Sequence, residues 1–172
     1  MLFRSLLTPA WTAIGMRIGK RRGYVISSLI LAAGAVLAAT AQVAPAGVVF
    51  AATALVGVGY AGCQVFPMAM LPDTAAHDTR ETGTSRVGVF TGVWTAGETL
   101  GMALGPGIFA LVLAAGGYVS STSDVTVDQP GSARLAIALG FSVVPAVLTA
   151  LSLLALRGYR LDDRLRSADV PR

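Results

Sequence analysis

The sequence predicts an all-α membrane protein with four full transmembrane helices and a truncated helix at its N-terminal end. Of the 172 residues, 54% are hydrophobic and only 13% are charged, which is about half the charged fraction of a water-soluble chain. The apolar residues form long runs, and the basic residues collect in alternate connections between them. Soluble enzymes and free nucleic-acid-binding proteins are therefore disfavoured.

Four apolar runs are long enough to cross a bilayer. A hydrocarbon core about 30 Å thick needs roughly 20 helical residues at 1.5 Å each. The predicted spans are residues 24–41, 47–71, 87–116 and 135–156. With the stretch that precedes them, they are expected to form one transmembrane bundle over residues 1–165.

The N-terminal stretch, residues 5–16, is apolar but too short to span, and it contains Pro9. We interpret it as the end of a fifth helix. A signal peptide is the alternative, because Arg4 precedes the apolar residues. However, no small-residue cleavage pattern follows, and the basic segment 17–22 comes directly after it.

The basic residues predict which connections face the cytoplasm. The segments 17–22, 72–86 and 157–172 hold four, two and five Lys or Arg residues. The segments between them, 42–46 and 118–133, hold none. By the positive-inside rule, the first segment, the middle connection and the basic tail at 157–172 lie in the cytoplasm. Arg134, at the outer end of the last span, is the exception. We expect a multi-pass protein of the inner or plasma membrane with a cytoplasmic C-terminus.

The net charge of +4 is explained by this topology. Anionic lipid headgroups are the expected partners of the basic segments. No nucleic-acid partner is expected.

A glycine pattern inside the second span resembles a dinucleotide-binding motif. Residues 57–62 read Gly-Val-Gly-Tyr-Ala-Gly, but that motif requires a strand that turns into a helix. Here the glycines lie in the middle of an apolar run, where small residues let a neighbouring helix approach closely. The single cysteine, Cys63, is likewise predicted to pack, and no cofactor is expected.

The connection at 72–86 contains a cluster of charged residues with no recognised metal-ligand spacing. We therefore predict no metal site, and interpret the cluster as a solvated or interhelical charge network on the cytoplasmic side. With the basic segment, the predicted network consists of Arg17, Lys20, Arg21, Asp73, Asp78, Arg80, Glu81 and Arg86.

The span 87–116 contains Glu98, the one ionisable residue well inside any of the four spans. A carboxylate at the bilayer centre costs about 2.5–3.5 kcal/mol on insertion scales, so such a residue usually faces a cavity or a partner. At 100° per residue, polar side chains share its helical face. The predicted substrate or ion pathway consists of Thr91, Trp94, Thr95, Glu98 and Thr99.

The adjoining face of this helix carries Gly97, Gly101 and Gly105, a small-residue stripe that is predicted to pack against another helix. Two alternatives stay open for the polar face. Glu98 is either a pathway residue or a protonated acid whose one interhelical hydrogen bond only stabilises the bundle. Trp94 either stacks on substrate or packs against lipid or protein.

Several short segments together resemble a known family. Residues 15–22 are similar to the R-x-G-[KR]-R cytoplasmic loop of major facilitator superfamily transporters. Further along, the chain contains, in order, Leu71-Pro72-Asp73, Thr82-Gly83, Arg86-Val87-Gly88, Ala103-Leu104-Gly105-Pro106, Gly117-Tyr118, Gln129, Pro145 and Tyr159-Arg160-Leu161. From about residue 9 to residue 165, this order and spacing resemble the C-terminal half of the glycoside–pentoside–hexuronide:cation symporters, the melibiose-permease-like branch.

The resemblance implies a twelve-helix transporter built from two six-helix halves. This chain would then supply the end of helix 8 and helices 9 to 12. It further implies a small solute such as a sugar, coupled to H⁺ or Na⁺. Thr95 matches the family's threonine, whereas the family's lysine position is Thr99, beside Glu98.

We therefore expect a transporter fragment that does not transport alone, because a site between two halves needs the N-terminal half or another chain. The alternative is a self-contained small membrane protein that oligomerises through its glycine stripe and has a structural or regulatory role. The sequence has no nucleophile–base constellation and no cofactor loop, so an enzyme is not expected.

Overall fold

A computed structural model describes residues 2–42, 44–120, 127–156 and 158 of the chain. Over these residues the fold is all-helical, which confirms the predicted class, and α2 to α5 are long and apolar enough to cross a membrane. The basic tail, apart from residue 158, lies outside the described residues. The helices are α1 (Leu2–Ile18), α2 (Lys20–Ala38), α3 (Ala46–Thr82), α4 (Val87–Ala115) and α5 (Gly131–Leu156), with a 3-10 turn at Ala39–Gln42.

Most helices begin or end a few residues away from the predicted spans. α2 begins at Lys20 rather than at residue 24, because Lys and Arg are good helix formers although they do not enter the bilayer core. α1 extends over 17 residues and accommodates Pro9. A hydropathy pattern therefore locates the membrane-embedded part of a helix better than the helix itself.

Phe66 of α3 is the centre of the packing between the first three helices. Its side chain is 1% exposed. A Cβ atom added to Gly15 of α1 would lie 2.7 Å from the Phe66 ring, and one added to Gly23 of α2 would also clash with it. Trp11 packs against the ring edge-on, with centroids 5.7 Å apart, and its indole N–H donates to the Val58 carbonyl at 3.0 Å. One large ring facing two glycines thus lets three helices meet closely.

Two of the three glycines in residues 57–62 lie where α3 packs against α2. A Cβ atom on Gly59 would clash with the backbone of Leu31, and one on Gly62 would clash with the Ser27 side chain. The prediction that this motif serves helix packing is confirmed at these two positions.

Cys63 lies in the same interface. Its Sγ atom is 3.7 Å from the Ser27 Oγ and 3.6 Å from the Ser28 Oγ, and both serines are buried. The thiol therefore packs between α2 and α3, as predicted.

The sequence predicted a loop over residues 72–86, after the second span. This prediction is wrong over most of that range, because α3 continues through Pro72 to Thr82. Proline removes one backbone donor from the helix, but contacts from α2 hold the helix on both sides of it. The Lys20 Nζ donates to the Ala69 carbonyl at 3.1 Å and to the Asp73 Oδ2 at 2.5 Å. With 37 residues, α3 is about 55 Å long and extends well beyond a hydrocarbon core.

The last two helices contact each other near the C-terminal end of α4. Phe109 and Phe141 pack edge to face with centroids 5.2 Å apart, and a Cβ on Gly140 would lie 2.7 Å from the Phe109 ring. α5 is tied to α2 by the Tyr24 and Ser152 hydroxyls, 2.9 Å apart. No residue of α4 is buried within the described chain, so this helix is the least covered of the four long ones.

The connection between α4 and α5 begins at Gly117, whose φ of 73° requires glycine. The Gln129 side chain then pairs with the Val119 backbone, accepting from its N–H at 3.2 Å and donating to its carbonyl at 2.7 Å. Arg134, the exception to the charge alternation, donates to Asp128 at 2.6 Å. Its charge is thus partly balanced by an acid in the preceding connection.

Candidate functional site

The predicted polar face of α4 is exposed along its whole length. Thr91, Thr95, Glu98 and Thr99 are all exposed, and Trp94 is half-buried. The Thr91 hydroxyl donates to the Val87 carbonyl at 3.0 Å, and the Thr99 hydroxyl donates to the Thr95 carbonyl at 2.8 Å. These bonds use the hydroxyl protons, so the two oxygens can act only as acceptors toward a further partner.

A cavity of about 440 Å³ lies between α3 and α4. This volume is within the range of small-molecule sites. The structure thus brings two predicted pathway residues, Trp94 and Glu98, together with Gly97 of the glycine stripe. The lining residues are Gln64, Val93, Trp94, Gly97 and Glu98.

Gln64 is a site residue that the sequence reasoning missed. Its Nε2 donates to the Tyr60 Oη at 3.0 Å, one helical turn away. This bond leaves the Gln64 carbonyl oxygen to accept and the Tyr60 proton to donate. The signal was an i, i+4 pair of polar side chains inside an apolar span, where the other tyrosines lie at span ends.

Trp94 contributes an unpaired donor. Its Nε1 is buried, and no hydrogen-bond partner for it lies among the described residues. A buried donor without a partner costs about 1–3 kcal/mol, so such a group calls for an explanation. Within this small area, the cavity is lined by a carboxylate, an amide and an aromatic ring. This set suits the recognition of a polar solute with several hydroxyl groups, and it contains no nucleophile–base pair.

The glycine stripe has no neighbour in the described part of the chain. Nothing lies within 4 Å of a Cβ atom added to Gly97, Gly101 or Gly105. Their role in helix packing stays a prediction, and its partner is a surface other than the described residues.

The predicted charge network is partly assembled around α3. Asp73 is held by Lys20 from α2, as described above. Asp78 forms a two-pronged ion pair with Arg86, in which Nη2 is 3.1 Å from Oδ1 and Nε is 3.1 Å from Oδ2. Each aspartate therefore links α3 to a residue at the start of another helix.

The remaining members lie at helix ends. Glu81 contacts His77 on the same helix at 3.2 Å. Arg17 and Arg80 fall in the last turns of α1 and α3, where positive charge interacts favourably with the helix dipole, and Arg21 lies in the first turn of α2. In the described part of the chain, no group of three or more His, Cys, Asp or Glu residues is placed to hold a metal ion.

Comparison with known proteins gives one family and two relatives. Residues 1–163 match the family described as MFS/sugar transport protein. The chain is 29% identical over 164 residues to an isoprimeverose transporter of Lactiplantibacillus pentosus, covering 94% of this chain and 32% of that protein. It is 29% identical over 140 residues to an uncharacterized symporter of Synechocystis sp., covering 79% of this chain and 25% of that protein. The chain thus spans a third or less of the length of these relatives. No solved structure matches.

Proposed function

This chain belongs to the MFS/sugar transport protein family, and on that premise we propose that it forms part of a cation-coupled symporter for a sugar or a related small solute. Membership in this family and the four helices long enough to span a bilayer together identify the chain as a multi-pass membrane protein and not an enzyme. In the proposal, it supplies the end of helix 8 and helices 9 to 12 of a twelve-helix transporter. The coupling cation is H⁺ or Na⁺.

The observation that carries this proposal is the cavity between α3 and α4. It places the carboxylate of Glu98 beside an indole and an amide, on a helix without a buried residue. In alternating access, a solute binds near the midplane between two halves. An uncovered polar face at mid-span is what one half would contribute to such a site. The names of the two relatives, a transporter and a symporter, support the same class of function.

The proposal predicts that transport needs a second part. Membrane vesicles that hold this chain assembled with the polypeptide encoded upstream should accumulate a radiolabelled neutral sugar when a cation gradient is imposed. Vesicles that hold this chain alone should not, because one part cannot enclose the solute from both sides. The coding sequence upstream of Met1 should specify about seven further spans.

An ionophore that collapses the gradient is the control for coupling. Sugar accumulation by this chain alone would contradict the proposal and favour a self-contained oligomer. Unrelated sequence upstream of Met1 would have the same consequence.

The positions of the basic residues support a topology in the cell membrane in which the α3–α4 connection and the C-terminus are both on the cytoplasmic side. With Cys63 replaced by alanine, a Thr84→Cys variant should react with a membrane-impermeant maleimide only after the cells are opened. A Ser120→Cys variant should react in intact cells, and both positions are exposed. Labelling of Thr84→Cys in intact cells would contradict this sidedness.

A further inference from the structure

We infer that the cavity between α3 and α4 selects its solute by charge: it accepts neutral sugars and excludes uronates and other anionic sugars, and Glu98 is the discriminating residue. This inference rests on the proposed function and names the substrate class of the same site.

The charge of the cavity supports the inference first. Of the residues that line it, Glu98 is the one that carries a formal charge, and no Lys or Arg is among them. On α4 the preceding charged residue is Arg86, twelve positions earlier, about 18 Å along the helix axis. Lys20 is paired with Asp73, which lies nearer the C-terminal end of α3 than the cavity-lining Gln64 does. Within the described chain, an anionic ligand in this cavity would therefore meet a carboxylate with no nearby cation to balance it.

The size of the cavity supports the inference next. A volume of about 440 Å³ corresponds to a space about 9 Å across, at the smaller end of ligand sites. A sugar carboxylate inside this space would lie within about 9 Å of the Glu98 side chain. Two like charges at such a distance repel strongly in surroundings less polar than water.

The remaining groups favour a neutral sugar in the same position. A carboxylate accepts hydrogen bonds from sugar hydroxyls, and these charge-assisted bonds are stronger than neutral ones. Trp94 lines the cavity, and its ring provides an apolar face for the C–H groups of a pyranose. Gln64 can accept through its amide oxygen while its Nε2 remains bonded to Tyr60. These groups match a polyhydroxylated ring, and none of them carries a positive charge that would balance an added negative one.

The test compares sugars that differ only in charge. Initial uptake rates are measured in vesicles that hold the assembled transporter, for glucose against glucuronate and for galactose against galacturonate, with the methyl ester of glucuronate as an uncharged control of the same shape. We expect at least tenfold slower uptake of each uronate than of its neutral partner. The ester should be taken up at a rate close to that of glucose.

Variants then assign the selection to Glu98. Glu98→Gln should raise the rate of glucuronate uptake itself, per amount of transporter in the vesicles, and should raise the ratio of glucuronate to glucose uptake at least tenfold. Glu98→Asp should keep the ratio of the unmodified protein. Asp128→Asn removes an acid from the exposed connection between α4 and α5 and should leave the ratio unchanged. Because each ratio is taken in the same vesicles, it does not depend on how much of a variant reaches the membrane.

The outcomes separate the inference from the proposed function. Equal uptake of uronates and neutral sugars by the unmodified protein overturns the inference and leaves the proposed function standing. A ratio that Glu98→Gln does not change overturns the role of Glu98. Uptake of no sugar of either kind overturns the proposed function and the inference with it.

Discussion

Replacement of Glu98 by glutamine is expected to lower gradient-driven uptake of a neutral sugar by about 10- to 100-fold. Glutamine has nearly the same size as glutamate, so the cavity between α3 and α4 keeps its shape. The substitution removes the charge that strengthens hydrogen bonds to the solute, and a hydrogen bond to a charged group is worth about 1.5–3 kcal/mol. Since about 1.4 kcal/mol corresponds to a factor of ten, the loss of one or two such bonds gives the expected range. The measurement is the initial rate of radiolabelled sugar uptake in vesicles under an imposed cation gradient.

Asp128→Asn is the matched control for this prediction. It also converts an acid to its amide, but Asp128 is an exposed residue of the connection between α4 and α5, where it pairs with Arg134. Its uptake rate should stay within about twofold of the unmodified protein. If Glu98→Gln transports as fast as this control, the carboxyl group of Glu98 only stabilises the bundle, and its placement in the pathway is wrong.

Gly59→Ala is expected to lower the free energy of unfolding by about 1–3 kcal/mol, the usual effect of an extra methyl group in a filled interface. The added Cβ would meet the backbone of Leu31, with the Leu31 Cα at 2.7 Å. A backbone cannot move aside as the end of a flexible side chain can, so α2 and α3 must separate. The measurement is the denaturant midpoint followed by circular dichroism in detergent micelles.

Gly57→Ala is the matched control, two residues away in the same helix. Nothing lies within 4 Å of a Cβ added at Gly57, and alanine favours a helix over glycine by up to about 1 kcal/mol. This variant should therefore be as stable as the unmodified protein or slightly more stable. Equal loss of stability in both variants would show that the glycines act through backbone conformation rather than through close packing.

The contrast between Gly59 and Gly57 shows how far the glycine pattern could be interpreted from the sequence. Its place inside an apolar run was sufficient to reject a dinucleotide site and to favour helix packing. The sequence could not tell which glycine faces the partner helix, because that depends on how α3 is rotated against α2. The contacts of Leu31 and Ser27 settle this point.

Prediction was also incomplete at the end of α3. Hydropathy falls after residue 71, and Pro72 is a common helix breaker, so a loop was the expected structure. The helix persists because Lys20, distant in sequence, bonds to Ala69 and Asp73 on both sides of the proline. A contact between residues about fifty positions apart is not visible in local propensity.

The sequence by itself determined that this protein is an all-α membrane protein with four long apolar helices, and it marked Glu98 as the polar residue at mid-span. These features depend on composition and on the spacing of apolar residues, which act locally along each helix. The tertiary structure decided which side chains of different helices meet: Phe66 with two glycines, Lys20 with Asp73, and Gln64 of α3 with Glu98 and Trp94 of α4 around one cavity. Such contacts depend on how each helix is rotated and at what angle two helices cross. Rotation and crossing angle are set by the packing of whole helix surfaces rather than by any short stretch of sequence.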